Sequence, residues 1–260
     1  MAMPILTLLE KAYGPVKPET FEASFAALCK GLKVQLKVVG GTARGWIQVD
    51  VSGEDSAVAA RFLDQEIGLT PTSANELRKF SVLRGRVISS RKSEQELYVD
   101  VGVFSPKTCD AALPLSTLRA QLADGKQLPL KQLKDLYCLY DNLPLQVKFV
   151  NEVDAAEGTV EAELSEVQLS LFTRWLNLFL DRLIVLGAEF RDVERAVKIS
   201  KHTRDVVRVE QLGLLEHGVV CKLGTDAVGL VPRLGRFLRS ATLVPFSPRK
   251  IKSLIGRLRL

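Results

Sequence analysis

Few side chains of this 260-residue chain are suited to covalent or metal chemistry. Its thiols and imidazoles are scattered, without a C-x-x-C or an H-x-x-x-H pair: Cys29, Cys109, Cys138, Cys221, His202 and His217. A structural zinc site normally has ligands in closely spaced pairs, so this pattern predicts no metal. Isolated cysteines in a long chain are typical of buried, small apolar side chains in a reducing compartment.

Carboxylates are the remaining candidates for acid–base chemistry. Four of them stand in predicted turns or at strand ends, where acids are usually solvated: Asp100, Asp141, Asp154 and Asp226. The sequence therefore predicts a non-enzymatic protein with no catalytic residue, no metal and no cofactor, and an enzyme is the less favoured alternative.

A Gly-Thr-Asp turn stands between two apolar runs in GVVCKLGTDAVGLVPRLG, residues 218–235. A P-loop needs several glycines ahead of a Lys-Ser/Thr pair, and a dinucleotide site needs G-x-G-x-x-G; the stretch has neither. It aligns with residues 97–119, in which a strand also ends in glycine and an apolar-proline strand follows the turn. The alignment predicts a sheet or barrel corner, and it leaves open a diverged second copy of the barrel.

Positive charge is concentrated in the last third of the chain. Residues 167–260 hold 17 Lys/Arg against 8 Asp/Glu, and arginine outnumbers lysine 12 to 5. Because the planar guanidinium fork suits phosphate better than a solvated ammonium does, the bias favours RNA or another acidic partner. An arginine-rich surface without a partner is the alternative.

Two alternating runs, VLRGRVI and ELYVDVG, predict a pair of neighbouring strands with one face outward. If they pair, Arg84 and Arg86 flank Tyr98 on that face, which gives a base a ring to stack on and its phosphates two cations. The loops bordering the face add Arg91, Lys92 and Lys107. A solvated face with one tyrosine is the alternative, and outward acids at Glu161 and Glu163 count against a strong site.

The carboxyl end, FSPRKIKSLIGRLRL, has an apolar stripe at helical spacing from Ile251 to Leu258. We expect the stripe to pack on the preceding segment and to leave cations for phosphate: Arg249, Lys250 and Lys252. A second predicted helical face supplies Arg233, Arg236 and Arg239, and together the two sets form the predicted electrostatic footprint for RNA. The helix is too short, and without an aromatic anchor, for a membrane-surface role.

The elements that position these residues fall into three segments. Residues 1–72 show the order β-α-β-β-α, which suits a small two-layer domain. Residues 78–166 are mostly short alternating strands. Residues 167–260 begin with apolar positions at alternating spacings of three and four as far as Leu186, which predicts a long helix capped at Ser165.

The middle segment resembles the S1 class of OB domains in the order of its patterns. These are G-x-V, V-D-V-G, A-L-P-L-S-x-L and a closing V-K-F-V hairpin, carried by Gly85, Val87, Val99, Asp100, Val101, Gly102, Leu113, Pro114, Ser116, Leu118, Val147 and Ser165. The resemblance implies a five-stranded barrel with helical material between its third and fourth strands. The polar stretch 121–142 departs from the pattern as an insertion.

The wording RDVVRVEQLGLLEHGVVCKLGTDAVGLVPRLG, residues 204–235, and the RWLNLFLDRL stretch, residues 174–183, resemble an archaeal family, domain of unknown function 2110. The resemblance runs along the chain. It implies an archaeal, cytoplasmic setting and an S1-like middle, and it supplies no catalytic residue, substrate or cofactor.

The predicted fold class is therefore α+β. It comprises a small β-α-β-β-α domain, an S1-like OB β-barrel, and a basic carboxyl-terminal α+β domain led by a long helix. The predicted function is RNA binding in association with the ribosome or the transcription machinery. A protein-binding adaptor on an RNA machine, without direct RNA contact, is the alternative.

Charges at Arg174 and Asp181 argue against a membrane span over 167–187.

Overall fold

The structure, a computed structural model, describes residues 5–71, 73–74, 77–89, 93–152 and 158–256. The chain divides into two compact units, Met1–Thr72 and Ser73–Leu260. The predicted segments 78–166 and 167–260 both lie in the second unit. The predicted RNA contacts Arg91 and Lys92 lie outside the described residues.

The first unit is a three-stranded antiparallel sheet with helices, in the order β-α-β-β-α that the sequence predicts. Its strands are paired in the order β1-β3-β2. The elements are β1 (Leu6–Lys11), α1 (Glu22–Leu28), β2 (Val34–Gly41), β3 (Trp46–Gly53) and α2 (Ser56–Glu66). The alternating apolar residues of β3 form the core with the buried face of α2.

The second unit begins with a closed five-stranded barrel. Its strands are β4 (Val82–Ile88), β5 (Glu96–Val103), β6 (Cys109–Pro114), β7 (Pro144–Phe149) and β8 (Thr159–Leu164). They pair around the barrel in the order β4-β5-β6-β8-β7, and β7 pairs back with β4. The β6–β8 pair is parallel and the others are antiparallel.

Period-two alternation fills the barrel interior, because every second residue of a strand points to the same side. Val87, Val99 and Val147 are fully buried there. Gly85 marks a close approach of two strands, since a Cβ atom at this position would lie 2.5 Å from the backbone oxygen of Asp100.

Two helices fill the insertion between β6 and β7: α3 (Leu115–Ala123) and α4 (Leu130–Tyr137). The Gln121 side chain of α3 both donates to and accepts from the backbone of Leu164 in β8, at 3.0 Å each. The Tyr137 hydroxyl of α4 donates to the Leu122 carbonyl at 2.7 Å. The insertion is therefore fastened to the barrel and to itself.

The remaining elements of the second unit surround a four-stranded antiparallel sheet of order β10-β11-β9-β12. They are α5 (Glu166–Leu178), β9 (Arg182–Leu186), α6 (Phe190–Ile199), β10 (Val206–Gln211), β11 (Glu216–Cys221), α7 (Ala227–Leu234), β12 (Thr242–Phe246) and α8 (Pro248–Ile255).

The central strands of the sheet, β9 and β11, are buried on both faces. Leu183 and Val185 of β9 belong to one apolar cluster with α6 and α7. Ile184 and Leu186 belong to a second cluster, which also contains the barrel interior and buried residues of α5 and α8. The barrel and the sheet thus share one apolar core.

The prediction of a long helix through Leu186 is wrong. α5 ends at Leu178, and Phe179 follows in the left-handed region with a φ of 54°. Leu183 and Leu186 lie in β9, in which all five residues are buried. A continuous apolar run fits both a buried helix and a central strand, so the helical spacing did not discriminate between them.

The prediction of an apolar-proline strand after the Gly-Thr-Asp turn is also wrong. Residues 227–234 form α7, whose first turn is capped by Asp226: its carboxylate accepts from the Val228 amide at 3.0 Å. The corresponding stretch of the barrel forms strand β6. Because one stretch forms a helix and the other a strand, the hypothesis of a second barrel copy is wrong as well.

Candidate nucleic-acid interface

Arg86 does not lie on an open barrel face, and that prediction is wrong. The side chain points away from the barrel interior as the alternation requires, but it is only 1% exposed. Its Nη1 atom lies 2.8 Å from Oε2 of Glu216, which is also fully buried. The hairpin between β10 and β11 covers this part of the barrel.

Gly213, in the loop of that hairpin, shows how closely the two parts meet. A Cβ atom there would lie 2.1 Å from Oε2 of Glu216 and 2.7 Å from Nη1 of Arg86. The hairpin backbone therefore lies directly against the ion pair. Alternation along β4 assigns a residue to one of two faces, but a contact from a distant segment decides whether the outer face is open.

Arg84 and Arg86 do not flank Tyr98 as the sequence predicts. Tyr98 pairs in register with Ile88, is half-buried, and donates its hydroxyl to the Glu96 carboxylate. Arg84 is exposed but lies four residues from Ile88 along β4, where it pairs in register with Gln146 of β7. Lys107 is exposed in the loop between β5 and β6.

The predicted arginines near α7 are all exposed, although they do not share a helical face. Arg233 lies in the last turn of α7, which ends at Leu234, and Arg236 and Arg239 lie in the following loop. Phe237 lies between those two arginines and is 47% exposed. We call residues 233–240 the arginine loop. The buried Leu234 and Leu238 anchor it to the core.

One arginine of this loop is held by a side-chain relay. Arg233 Nη1 lies 3.3 Å from Nε2 of His202, and His202 Nδ1 lies 2.6 Å from Oδ2 of Asp205. A guanidinium only donates, so Nε2 accepts and the ring proton lies on Nδ1, directed at Asp205. The relay orients Arg233 without neutralising it by direct contact with a carboxylate.

The carboxyl-terminal helix matches its predicted packing in part. Ile251 and Ile255 are buried, and Leu254 is exposed. Arg249 and Lys250 are exposed. The Lys252 Nζ lies 3.7 Å from the centroid of the Phe179 ring, so this ammonium already makes a cation–π contact. Arg257, Leu258 and Arg259 lie outside the described residues.

The two predicted basic clusters lie towards opposite ends of α7. Arg249 lines a cavity of about 220 Å³ together with Lys222 and the Gly-Thr-Asp turn, at the amino end of α7. Arg233 is the seventh residue of this eight-residue helix, so it lies about 9 Å along the axis from Ala227. A single footprint formed by both clusters stays a prediction.

The Gly-Thr-Asp turn is not a phosphate cradle. Two carboxylates already accept from the first amides of α7: Asp226 from Val228, and Asp181 Oδ2 from Ala227 at 3.4 Å. Asp181 also accepts from the Ser247 hydroxyl at 3.1 Å. Carboxylates at a helix amino terminus satisfy the positive end of its dipole and repel an incoming anion.

A simple signal for the arginine loop stands in the sequence. Residues 227–260 contain eight Lys/Arg and no Asp/Glu. Sequence reasoning singled out the three arginines and the acid-free carboxyl end, but it missed Phe237, which lies between Arg236 and Arg239. An aromatic between two arginines at a turn is the pattern that could have identified the loop.

The histidines and cysteines occupy packed positions. His217 is fully buried, its Nε2 lies 2.9 Å from the Ala188 carbonyl, and burial lowers its pKa. The Cys221 thiol is buried as well, which raises its pKa to about 12 and keeps it protonated near neutral pH.

Among the described residues, no three His, Cys, Asp or Glu side chains are grouped to hold a metal ion. No helix within the described ranges has the length and apolar character to span a membrane.

Comparisons with known proteins identify two matching family models. The DUF2110 central domain matches residues 79–176, and the DUF2110 C-terminal domain matches residues 180–245. The comparison with curated proteins gives no match.

Two solved structures show a low similarity to the chain. One is an a/eIF2alpha-aDim2p-rRNA complex from Pyrococcus horikoshii OT3, with 13% identity and a TM-score of 0.26 over 48% of this chain and 60% of that one. The other is the intact alpha subunit of aIF2 from Pyrococcus abyssi, with 9% identity and a TM-score of 0.26. That match covers 65% of this chain and 97% of the aIF2 subunit. The chain thus spans less than two thirds of the first of these relatives. TM-scores this low carry no argument about fold or function.

Proposed function

The chain belongs to the DUF2110 family, and we propose that it is a non-enzymatic RNA-binding protein whose main RNA contact is the arginine loop. The observation that carries the proposal is that three exposed arginines, Arg233, Arg236 and Arg239, and the exposed ring of Phe237 lie within seven residues of chain, in a stretch without acids.

This arrangement suits single-stranded RNA for two physical reasons. Guanidinium groups bind phosphate oxygens in a bidentate manner and retain their charge at every physiological pH. An exposed aromatic ring gives a base a surface to stack on, which contributes about 1–3 kcal/mol per base. Because Leu234 and Leu238 anchor the loop, little conformational entropy is lost when RNA binds.

The barrel takes a different part in this proposal. Its strand order, with the parallel pair between the third and fifth strands, supports its assignment as an S1-like OB barrel. The Arg86–Glu216 contact removes part of its outward face from any ligand. We therefore propose that phosphate binding depends on the carboxyl-terminal sheet and its loops.

We further propose that the bound RNA belongs to a cytoplasmic ribonucleoprotein such as the ribosome or a transcription complex. A protein-binding adaptor on such a complex, without direct RNA contact, is the second candidate. The two candidates differ in whether the purified protein binds naked RNA.

Salt-dependent RNA binding tests the proposal. We expect the double variant Arg236→Ser/Arg239→Ser to weaken binding to a single-stranded oligonucleotide of any sequence. Each lost phosphate contact should reduce the slope of log affinity against log salt by roughly 0.7. Fluorescence anisotropy at several salt concentrations measures both quantities.

The matched control removes the same charge elsewhere, by Arg44→Ser and Arg61→Ser in the first unit, where both side chains are exposed. The control should keep the parent slope. If the arginine-loop variant also keeps it, the loop does not contact phosphate. If the parent protein binds no RNA but co-sediments with ribonucleoprotein particles, the adaptor function replaces the proposal.

A further inference from the structure

A groove lies on the barrel between the start of β5 and helix α4. It consists of two cavities of about 460 and 470 Å³ that share four lining residues: Ser93, Glu94, Leu130 and Lys134. Tyr98 lines the first cavity and Tyr140 lines the second. We call this continuous concavity the tyrosine groove.

Both tyrosines are oriented by hydrogen bonds to carboxylates. The Tyr98 hydroxyl donates to Glu96, and the Tyr140 hydroxyl donates to Asp135. The second bond, together with partial burial, raises the pKa of Tyr140 to about 12, so the ring stays neutral. Each cavity of the groove therefore contains an aromatic ring whose hydroxyl is held by a carboxylate.

The charges of the groove are balanced, which distinguishes it from the arginine loop. Its lining contains three cations and three acids: Arg119, Lys131, Lys134, Glu94, Glu96 and Asp135. The Arg119 guanidinium donates to the Leu128 carbonyl and the Gln127 side chain, at 2.8 Å each. Glu94 is exposed on the β4–β5 loop, next to Lys134 in the shared part of the lining.

A balanced groove with fixed rings is poorly suited to a run of phosphates and well suited to a base. Carboxylates accept hydrogen bonds from exocyclic amino groups, which cytosine and adenine carry and uracil lacks. Unpaired RNA bases are typically recognised by stacking on aromatic rings together with hydrogen bonds to their edges.

We propose that the tyrosine groove binds an unpaired RNA base with an exocyclic amino group, which stacks on Tyr140 and donates to Glu94, while Lys134 contacts the adjoining phosphate. This inference rests on the proposed RNA-binding function and deepens it. The arginine loop supplies affinity that is independent of sequence, and the groove supplies the base preference. Phosphate contacts position a nucleic acid, whereas base contacts select its sequence.

The test compares two pyrimidine decamers that differ in the amino group, rC10 and rU10, by fluorescence anisotropy with the full chain. We expect the parent protein to bind rC10 about tenfold more tightly. Glu94→Ala removes the carboxylate acceptor at an exposed position and should bring the two affinities within about twofold of each other. The control Glu66→Ala in the first unit should keep the parent ratio.

The variant Arg236→Ser/Arg239→Ser separates the two proposals, because it should weaken binding of both decamers and leave their ratio unchanged. Equal affinities of the parent protein for rC10 and rU10 would overturn the groove inference and leave RNA binding by the arginine loop intact. A preference for rC10 that survives Glu94→Ala would also overturn it. Failure of the parent protein to bind either decamer would refute RNA binding itself, and the groove inference with it.

Discussion

The ion pair between Arg86 and Glu216 offers a quantitative test of how the barrel and the carboxyl-terminal sheet are joined. At 2.8 Å the two charges attract each other by about 6 kcal/mol for an effective dielectric constant of 20. Because both groups are removed from water, the free energy lost by their desolvation is similar in size to this attraction. The pair should therefore contribute little net stability, whereas either partner left alone should be costly.

We expect Arg86→Met and Glu216→Leu each to lower the free energy of unfolding of the second unit by about 3–5 kcal/mol. The double variant should be close to the parent, since neither charge is then stranded. The coupling energy from this double-mutant cycle should consequently be several kcal/mol.

The assay must report on the second unit alone. The two tryptophans lie in different units, Trp46 in the first and Trp175 in the second. In a Trp46→Phe background, urea unfolding followed by fluorescence reports the surroundings of Trp175, which is buried near the guanidinium of Arg182. Single variants that cost less than about 1 kcal/mol, or a double variant whose cost equals the sum of the two, would refute the reasoning.

Two further predictions concern single residues. Phe237→Ala should weaken single-stranded RNA binding by about 1–3 kcal/mol, as measured by anisotropy. The melting temperature should change little, because the ring is 47% exposed. An equal loss of affinity for double-stranded RNA would contradict stacking. For His217, burial lowers the folded-state pKa below the ordinary value of 6.5, so the unfolded chain takes up a proton that the folded chain does not. Its contribution to stability should fall by about 1.4 kcal/mol per pH unit as the pH drops below 6.5, and His217→Gln should remove that part of the slope in urea titrations.

The sequence alone determined much of the barrel. Alternation in β4 and β5 placed Val87 and Val99 inside and Arg86 and Tyr98 outside, as the structure has them. Such alternation is local, because the side-chain period of two follows from strand geometry within a few residues. The concentration of arginine in the last third of the chain was likewise evident from the sequence, since it depends on composition only.

The length of α5 could not be read from the same kind of pattern. The run from Leu169 to Leu186 is apolar at helical spacing and is also continuous enough for a strand buried on both faces. The helix ends before Phe179, and the following residues form β9, which pairs with β11 and β12. Pairing partners that lie up to 64 residues away in the sequence, as Phe246 does from Arg182, decide such a boundary.

The candidate sites show the same division between local pattern and distant contact. The sequence indicated exposed arginines near residue 236, but only the tertiary structure brought Tyr140 of the insertion into one groove with Tyr98. It also buried Arg86 under a hairpin that the sequence places far away. The local periodicity of apolar residues indicates on which side of a helix or strand a residue lies. Whether that side is exposed to solvent depends on long-range packing, because the burial of apolar surface involves the whole fold.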